Sequence, residues 1–140
     1  AVLQAPQSAV ARQRAIVSDG VYVASNSKGS PANKYGLQPT CRIVEVDGKP
    51  VKDLADFLEA VKYKKNGESV RLKQEDLRGV KGVSSLKVDL TYWPTYEIKR
   101  DVSKFPTDKN IENRFTWSRT LIPTKTLKEK GREGETSLQK

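Results

Sequence analysis

The sequence predicts an α+β fold in which a small antiparallel β-sheet carries two helices. Runs of β-branched and aromatic residues at 20–25 and 41–46 indicate strands. The dipeptide Asp47-Gly48 follows the second run and favours a tight hairpin turn. Apolar residues within 53–64 recur with the period of an α-helix. These elements fit within 140 residues, a length typical of one domain with a modest core.

The first twenty residues give only weak signals of secondary structure. Residues 1–5 include a short apolar stretch, which we predict to be a strand or the end of one, and Pro6 stops it. Residues 7–14 are compatible with a helix. Ser18-Asp19-Gly20 then signals a turn before the strand at 20–25.

A short helix is predicted over 31–35, between the two strands. Ser30 can cap it by accepting a hydrogen bond from a free backbone N–H. Pro31 suits the first helical position because its missing N–H is not needed there. Gly36 suits the left-handed conformation that ends a helix. Further along, Pro50 restricts the segment after the Asp47-Gly48 turn to a sheet edge.

The second helix is predicted over 53–64. Asp53 can cap its N-terminus, and lysines at 62, 64 and 65 suit the negative potential of its C-terminal end. Four large apolar side chains share one face because they are spaced by one or two helical turns: Leu54, Phe57, Leu58 and Val61.

Two segments with alternating apolar and polar residues follow this helix, at 69–74 and 85–92. Residues 79–82 contain two glycines and lie between them. We therefore predict a β-hairpin with long strands, which Trp93-Pro94 ends.

The regular pattern decays after about residue 100. We expect one domain over 1–98, an extension over 99–122 that can pack on it, and a flexible basic tail over 123–140. The extension contains a small apolar cluster: Phe115, Trp117, Leu121 and Ile122.

The absence of histidine restricts the chemistry that this chain can perform. Without histidine, neither a Ser-His-Asp triad nor a Cys-His pair can be assembled, and the commonest zinc ligand is missing. The single cysteine, Cys41, lies in a strand-like segment and is interpreted as a small buried apolar side chain. We expect no catalytic residue, no metal site and no cofactor, so this chain should not itself be an enzyme.

The charge pattern indicates a basic surface rather than a binding site. The formal net charge is +9, and the basic residues are spread along the whole chain among acidic ones. A nucleic-acid partner is not expected, because no basic run is interleaved with aromatic residues. A membrane partner is not expected, since no window approaches 18 uninterrupted apolar residues. The sequence contains no methionine, so we expect a fragment of a longer protein.

Five motifs follow one another within about residues 16–92: Gly20-Val21-Tyr22-Val23, Gly29-Ser30-Pro31-Ala32, Tyr35-Gly36-Leu37, the run from Ile43 to Val51, and Leu54-Ala55-Asp56-Phe57. Together with the order of elements they resemble a PDZ domain of the permuted kind found in HtrA-type serine proteases. The resemblance implies a small, strongly bent antiparallel β-sandwich or partial barrel capped by two helices, with a long C-terminal tail. Residues 90–96 and the basic tail are similar to the C-terminal region of fungal nuclear, pro-apoptotic double-HtrA proteases.

This resemblance implies a non-catalytic regulatory module that binds C-terminal or extended hydrophobic peptides as an added β-strand. It also implies a nuclear location, with any homo-oligomer forming through the full-length protein. The carboxylate-binding loop of the family carries an aromatic residue and a glycine, and residues 1–6 contain neither. The peptide-binding residues that the resemblance implies are Ala1, Val2, Leu3, Gln4, Leu54, Leu58 and Val61.

A structural role is the alternative. In that case the groove is degenerate or is filled by the chain's own tail, with Phe115 and Trp117 as candidate anchors. The domain would then position neighbouring protease domains instead of binding a separate peptide.

Overall fold

A computed structural model describes residues 1–6, 8, 12, 19–101 and 116–122. Ser8 and Arg12 are helical, and the rest of the helix predicted over 7–14 lies outside the described residues. So does the tail predicted over 123–140. The elements in chain order are β1 (Val2–Gln4), β2 (Val21–Ser25), α1 (Pro31–Lys34), β3 (Arg42–Val46), β4 (Lys49–Pro50), α2 (Leu54–Val61), β5 (Ser69–Glu75), β6 (Lys81–Lys87), β7 (Tyr96–Asp101) and β8 (Thr116–Leu121).

Six of these strands form one antiparallel sheet. Its order is β1-β2-β3-β5-β6, and β4 pairs with β3 beside this path. Strands β1 and β6 are the two ends of the path, so within the described residues the sheet does not close into a barrel. Strands β7 and β8 form a separate two-stranded antiparallel sheet. The predicted α+β class, with its antiparallel strands and two helices, is confirmed.

The core lies on one face of the larger sheet. Its fully buried apolar side chains come from the three central strands. Buried positions alternate in β2 and at the start of β5, as expected for strands covered on one side. In β3 the buried residues Ile43 and Val46 are three positions apart, because the register shifts between Ile43 and Glu45. Each fully buried valine, leucine or isoleucine contributes roughly 1.5–3 kcal/mol relative to an exposed side chain. The most buried members of this core are Val21, Val23, Ile43, Val46 and Leu72.

The predicted caps and turns are confirmed at atomic level. Ser30 Oγ accepts a hydrogen bond of 3.3 Å from the backbone N–H of Asn33 at the start of α1. Asp47 and Gly48 both adopt positive φ angles, 49° and 81°, which bring β4 back onto β3. Asp53 Oδ1 accepts a bond of 2.9 Å from the N–H of Asp56, and so caps α2.

Helix α2 ends at Val61, three residues earlier than predicted. The lysines that suited a helix C-terminus are used differently, because Lys64 Nζ lies 2.8 Å from Asp47 Oδ2, outside the helix. The N–H of Lys65 donates to Glu68 Oε2 at 2.8 Å, and the N–H of Gly67 donates to the carbonyl of Val88 at 2.7 Å. Residues 62–68 therefore form turns that tie the end of the helix to the sheet.

The predicted placement of the second hairpin strand is wrong. Strand β6 runs from Lys81 to Lys87, not over 85–92, and every residue of β5 pairs with it. The connection is shorter than predicted because Asp76 closes it: Asp76 Oδ1 accepts bonds from the N–H groups of Arg78 and Val80, at 2.8 and 2.9 Å. Residues 89–92 form a turn, in which Asp89 Oδ1 accepts bonds from two backbone N–H groups.

The sequence pattern did not predict strands β7 and β8. They occupy the part of the chain where regular alternation is weak, and they pair with each other over six residues, from Tyr96↔Leu121 to Asp101↔Thr116. Among the described residues, no helix is long and apolar enough to cross a membrane.

Candidate functional site

The outer edge of β1 is the first part of the candidate site. Strand β1 pairs antiparallel with β2 on one side, and no described strand lies on its other side. Its pairing is irregular, since the register shifts between Val2 and Leu3. Such an edge offers backbone N–H and C=O groups to an added strand.

The residues predicted for this edge differ in their surroundings. Val2 is 55% exposed, whereas Leu3 is half-buried and packs against the hydrophobic core. Gln4 is half-buried, and Ala1 is exposed. The backbone of this segment is therefore positioned by the Leu3 side chain, and Val2 is the apolar side chain left accessible.

Helix α2 supplies the second part of the site. Its half-buried apolar residues include Leu54, Phe57 and Val61, which pack against the same core as Leu3. Leu58 is also half-buried but does not belong to this core-packed set. The structure thus separates the helix face predicted from the sequence into residues that pack on the core and Leu58, which is partly exposed and lies outside that set. That these residues contact a peptide stays a prediction.

Two hydrogen-bonded carboxylates fix the ends of α2. At the N-terminus, Asp56 Oδ2 accepts a bond of 3.1 Å from the N–H of Lys52, reciprocating the cap that Asp53 provides. Beyond the C-terminus, Lys64 pairs with Asp47, which belongs to the turn after β3. The bonds at the N-terminus are local and fix the first turn of the helix, whereas the Lys64–Asp47 pair ties the segment after its C-terminus to the sheet.

The pKa values around Lys64 reflect this anchoring. Burial alone would raise the pKa of Asp47, but hydrogen bonds from the Lys64 ammonium and from the N–H of Arg71 outweigh it and lower this pKa. The bond to Asp47 in turn raises the pKa of Lys64, and Glu68 adds to the effect. Both groups are therefore charged at neutral pH.

The single cysteine of the chain has structural partners and suggests no chemistry. The Cys41 thiol is buried, and its Sγ lies 2.8 Å from the Gln38 carbonyl oxygen and 3.1 Å from Gln74 Oε1, either of which can accept its one hydrogen. Burial raises the pKa of this thiol to about 11, so the reactive thiolate is scarce at neutral pH. Within the described residues, no group of His, Cys, Asp or Glu side chains could hold a metal ion.

An open strand edge and an apolar helix are the two elements that the addition of an extended chain as a strand requires. An edge strand supplies backbone hydrogen bonds, and an apolar helix beside a shared core supplies van der Waals contact. Sequence reasoning identified both elements. It did not show which apolar residues of α2 pack on the core and which do not. That distinction depends on the rotation of the helix about its axis, and residue spacing gives no signal of it.

Comparison with known protein families gives one match over about half of the chain. A family model described as the PDZ domain matches residues 8–79, a range that includes β2, both described helices and β5.

Curated relatives are much longer than this chain. Protease Do-like 7 of Arabidopsis thaliana is 46% identical over 82 residues, which is 59% of this chain and 8% of that protein. The pro-apoptotic serine protease NMA111 of Yarrowia lipolytica is 39% identical over 101 residues, which is 72% of this chain and 10% of that protein. The chain thus spans about a tenth of the length of these relatives or less.

Solved structures share the fold at low sequence identity. The HtrA3 PDZ domain bound to a phage-derived ligand, FGRWV, is 23% identical with a TM-score of 0.52, covering 61% of this chain and 78% of that one. The HtrA-type protease AlgW with a decapeptide is 20% identical with a TM-score of 0.55, covering 62% of this chain and 27% of that one.

Proposed function

This chain belongs to the PDZ-domain family, and on that premise we propose that it binds hydrophobic C-terminal or extended segments of other polypeptides by adding them as a strand to β1. The observation that carries this proposal is the edge of β1, which has no strand beside it among the described residues. Leu3 holds that edge on the same core as helix α2, so strand edge and helix belong to one structural unit.

The proposed recognition has three physical parts. Backbone groups of Val2–Gln4 form the hydrogen-bonded ladder with the peptide. Backbone N–H groups near Ala1 receive the terminal carboxylate, and the apolar contact comes from Val2 on the strand and from Leu58 on the helix. The remaining predicted residues, Leu54 and Val61, contribute by holding the helix in place.

The ligands bound in the structurally similar proteins support a peptide as the partner. The HtrA3 PDZ domain binds FGRWV, which ends in an apolar residue, and AlgW is observed with a decapeptide. These are properties of those proteins, and we extend them to this chain on the basis of the shared fold and the β1 edge.

We further propose that the chain is a regulatory module of a nuclear HtrA-type serine protease, because two curated relatives are named as proteases. Catalysis would then lie elsewhere in the longer protein, since this chain contains no histidine for a serine-protease triad. The nuclear location stays a prediction that imaging of the tagged full-length protein in fungal cells would test.

Titration of the isotope-labelled 140-residue chain with FGRWV tests the binding proposal. We expect amide resonances of β1 and α2 to shift, with a dissociation constant in the micromolar to millimolar range. The same peptide with an amidated C-terminus is the matched control and should bind at least tenfold more weakly, because its carboxylate is missing. If neither this peptide nor a set ending in Leu, Ile or Phe shifts a resonance of β1 or α2 at millimolar concentration, the proposal is wrong.

A docking role is the second candidate, and the packing of Leu3, Leu54 and Val61 favours it. These three side chains already contact the core, so part of the predicted groove is occupied by the fold itself. Trp117, a candidate anchor for a self-occupied groove, is 65% exposed, and Phe115 lies outside the described residues. The docking role requires that peptides ending in apolar residues leave the amide resonances of β1 and α2 unshifted in the titration above.

A further inference from the structure

The two-stranded sheet of β7 and β8 has two chemically different faces. Residues that pair directly across antiparallel strands point to the same side, so the register assigns each side chain to a face. One face is polar and carries Glu97, Lys99, Ser118 and Thr120. The opposite face, called here the Trp117 face, carries Tyr96, Ile98, Arg100, Trp117, Arg119 and Leu121.

The Trp117 face is open to solvent. Its four large apolar side chains are all exposed: Trp117 by 65%, Ile98 by 63%, Leu121 by 55% and Tyr96 by 41%. Isolated exposed apolar residues are common, but four on one face of a small sheet form a contiguous patch. A two-stranded sheet is also marginally stable alone in water, so covering this face would stabilise it.

Charge favours an acidic partner for this face. Its two charged residues are Arg100 and Arg119, and no described residue of the face carries a carboxylate. The guanidinium of Arg119 lies 3.6 Å from the centre of the Tyr96 ring, which holds this cation flat against the apolar patch. A carboxylate from a partner would meet a positioned arginine, and the net charge of +9 would favour its approach.

The side-chain types favour a protein over a nucleic acid. Tryptophan, tyrosine and arginine are the residues enriched at the centres of protein interfaces, whereas lysine and glutamate are depleted there. The lysine and the glutamate of this sheet, Lys99 and Glu97, lie on the other face. Ile98 and Leu121 are aliphatic and offer bases no ring to stack on, so half of the large apolar residues would contribute little to binding single strands.

We propose that the Trp117 face is a docking surface for an extended, acidic and apolar segment of a partner protein. This surface lies in a different sheet from the β1 edge, and its ligand needs no free C-terminus. In the complex, apolar side chains of the segment cover Trp117 and Ile98, while a carboxylate of the segment pairs with Arg119.

A synthetic peptide with both ends blocked tests the proposal on the 140-residue chain. The probe alternates glutamate with isoleucine and phenylalanine over eight residues. Its amidated C-terminus excludes the carboxylate-dependent mode proposed for β1. We expect the indole N–H of Trp117 and the backbone amides of β7 and β8 to shift, with β1 unchanged.

Two substitutions on opposite faces give a matched comparison. Arg119→Glu and Lys99→Glu change the net charge equally, but the first lies on the Trp117 face and the second on the polar face. We expect the first to weaken probe binding at least tenfold and the second to change it less than twofold. Unchanged amide resonances in β2 and β3 would show that both variants keep the domain folded.

Four results would overturn the proposal. The first is no shift in β7 or β8 at millimolar probe. The second is equal binding of a probe in which lysine replaces glutamate, which would remove the acidic requirement. The third is tighter binding of a thymidine oligonucleotide at physiological salt, which would assign the face to nucleic acid. The fourth is a concentration-dependent dimer that Trp117→Ser abolishes, which would assign the face to a second copy of the chain.

Discussion

Lys64 Nζ lies 2.8 Å from Asp47 Oδ2, and this ion pair joins the segment after α2 to the turn between β3 and β4. The other carboxylate oxygen, Oδ1, accepts a hydrogen bond of 2.8 Å from the N–H of Arg71 in β5. One carboxylate therefore connects a hairpin turn, a central strand and the end of the helix proposed to form the groove.

Replacing Asp47 by asparagine removes the charge and keeps an oxygen that can accept the bond from Arg71. We expect the free energy of unfolding to fall by about 1 kcal/mol, because the pair is partly exposed and the left-handed backbone suits asparagine. Urea denaturation would measure the change. Glu59→Gln is the control, since it breaks the exposed pair of Glu59 with Lys62 within one turn and should change stability little. If both variants lose the same free energy of unfolding, the Asp47–Lys64 pair contributes no more than an ordinary surface ion pair.

The contribution of the Asp47–Lys64 ion pair to the free energy of unfolding should change with pH at both acidic and basic extremes. The pKa of Asp47 lies below its ordinary value of 3.8, so its stabilisation is complete above that value and is lost as pH falls through the lowered pKa. The pKa of Lys64 lies above 10.5, so its stabilisation is complete below that value and is lost as pH rises through the raised pKa. The stability difference between wild type and Asp47→Asn should therefore be constant from about pH 5 to pH 10 and shrink outside this range. If the stability difference between wild type and Asp47→Asn grows on acidification, the stabilising role assigned to the charged Asp47 carboxylate is contradicted.

Gly20 is required by both its backbone and its neighbours. Its φ is +82°, and a Cβ at this position would lie 2.6 Å from the carbonyl oxygen of Ile43. We expect Gly20→Ala to cost about 3 kcal/mol or more, because β2 must move away from β3. Gly29 has a similar φ of +79° with nothing within 4 Å, so Gly29→Ala should cost only the strain of the left-handed backbone, about 1 kcal/mol. Similar losses for the two variants in chemical denaturation would show that the close approach to Ile43 is unimportant.

Leu54 and Leu58 should separate stability from peptide binding. Leu54 packs against the core, so Leu54→Ala should lower the free energy of unfolding by about 1–2 kcal/mol. Leu58→Ala should cost less than about 1 kcal/mol in stability but weaken binding of FGRWV about tenfold, which equals about 1.4 kcal/mol. Calorimetric titration and thermal denaturation of both variants would measure the two effects. Unchanged peptide affinity in the Leu58 variant would remove that residue from the proposed site.

The fold was predictable where local chemistry decides it. Ser30, Asp53 and the Asp47-Gly48 turn act on backbone groups within a few residues, so their roles follow from residue type and spacing. The same holds for the runs of β-branched and aromatic residues that predicted β2 and β3, because such side chains favour strands.

Two predictions were wrong for different reasons. Lys64 was assigned to a helix C-terminus by charge, but its partner, Asp47, is 17 positions away in sequence, and residue spacing gives no signal of this pairing. Gly82 was interpreted as part of a turn, whereas Asp76 closes the connection earlier and leaves Gly82 paired with Gln74 inside the sheet. The Asp76 turn is local, since its carboxylate accepts bonds from the N–H groups of Arg78 and Val80, and aspartate is a residue that favours such turns.

The candidate site was predictable as a set of elements but not in detail. Helical spacing shows that Leu54, Leu58 and Val61 share a face. It does not show which of them the core covers, because that depends on how the helix rests on the sheet. The same limit applies to Leu3, whose neighbours are known only once β1 is placed beside β2.

Intermolecular nuclear Overhauser effects between bound FGRWV and the labelled 140-residue chain test the central claim most directly. The account predicts contacts between peptide backbone protons and β1 over Val2–Gln4, in the pattern of an added antiparallel strand, and contacts from the terminal valine to the methyl groups of Leu58. Contacts confined to β6, the other end of the sheet, or to β7 and β8 would contradict it.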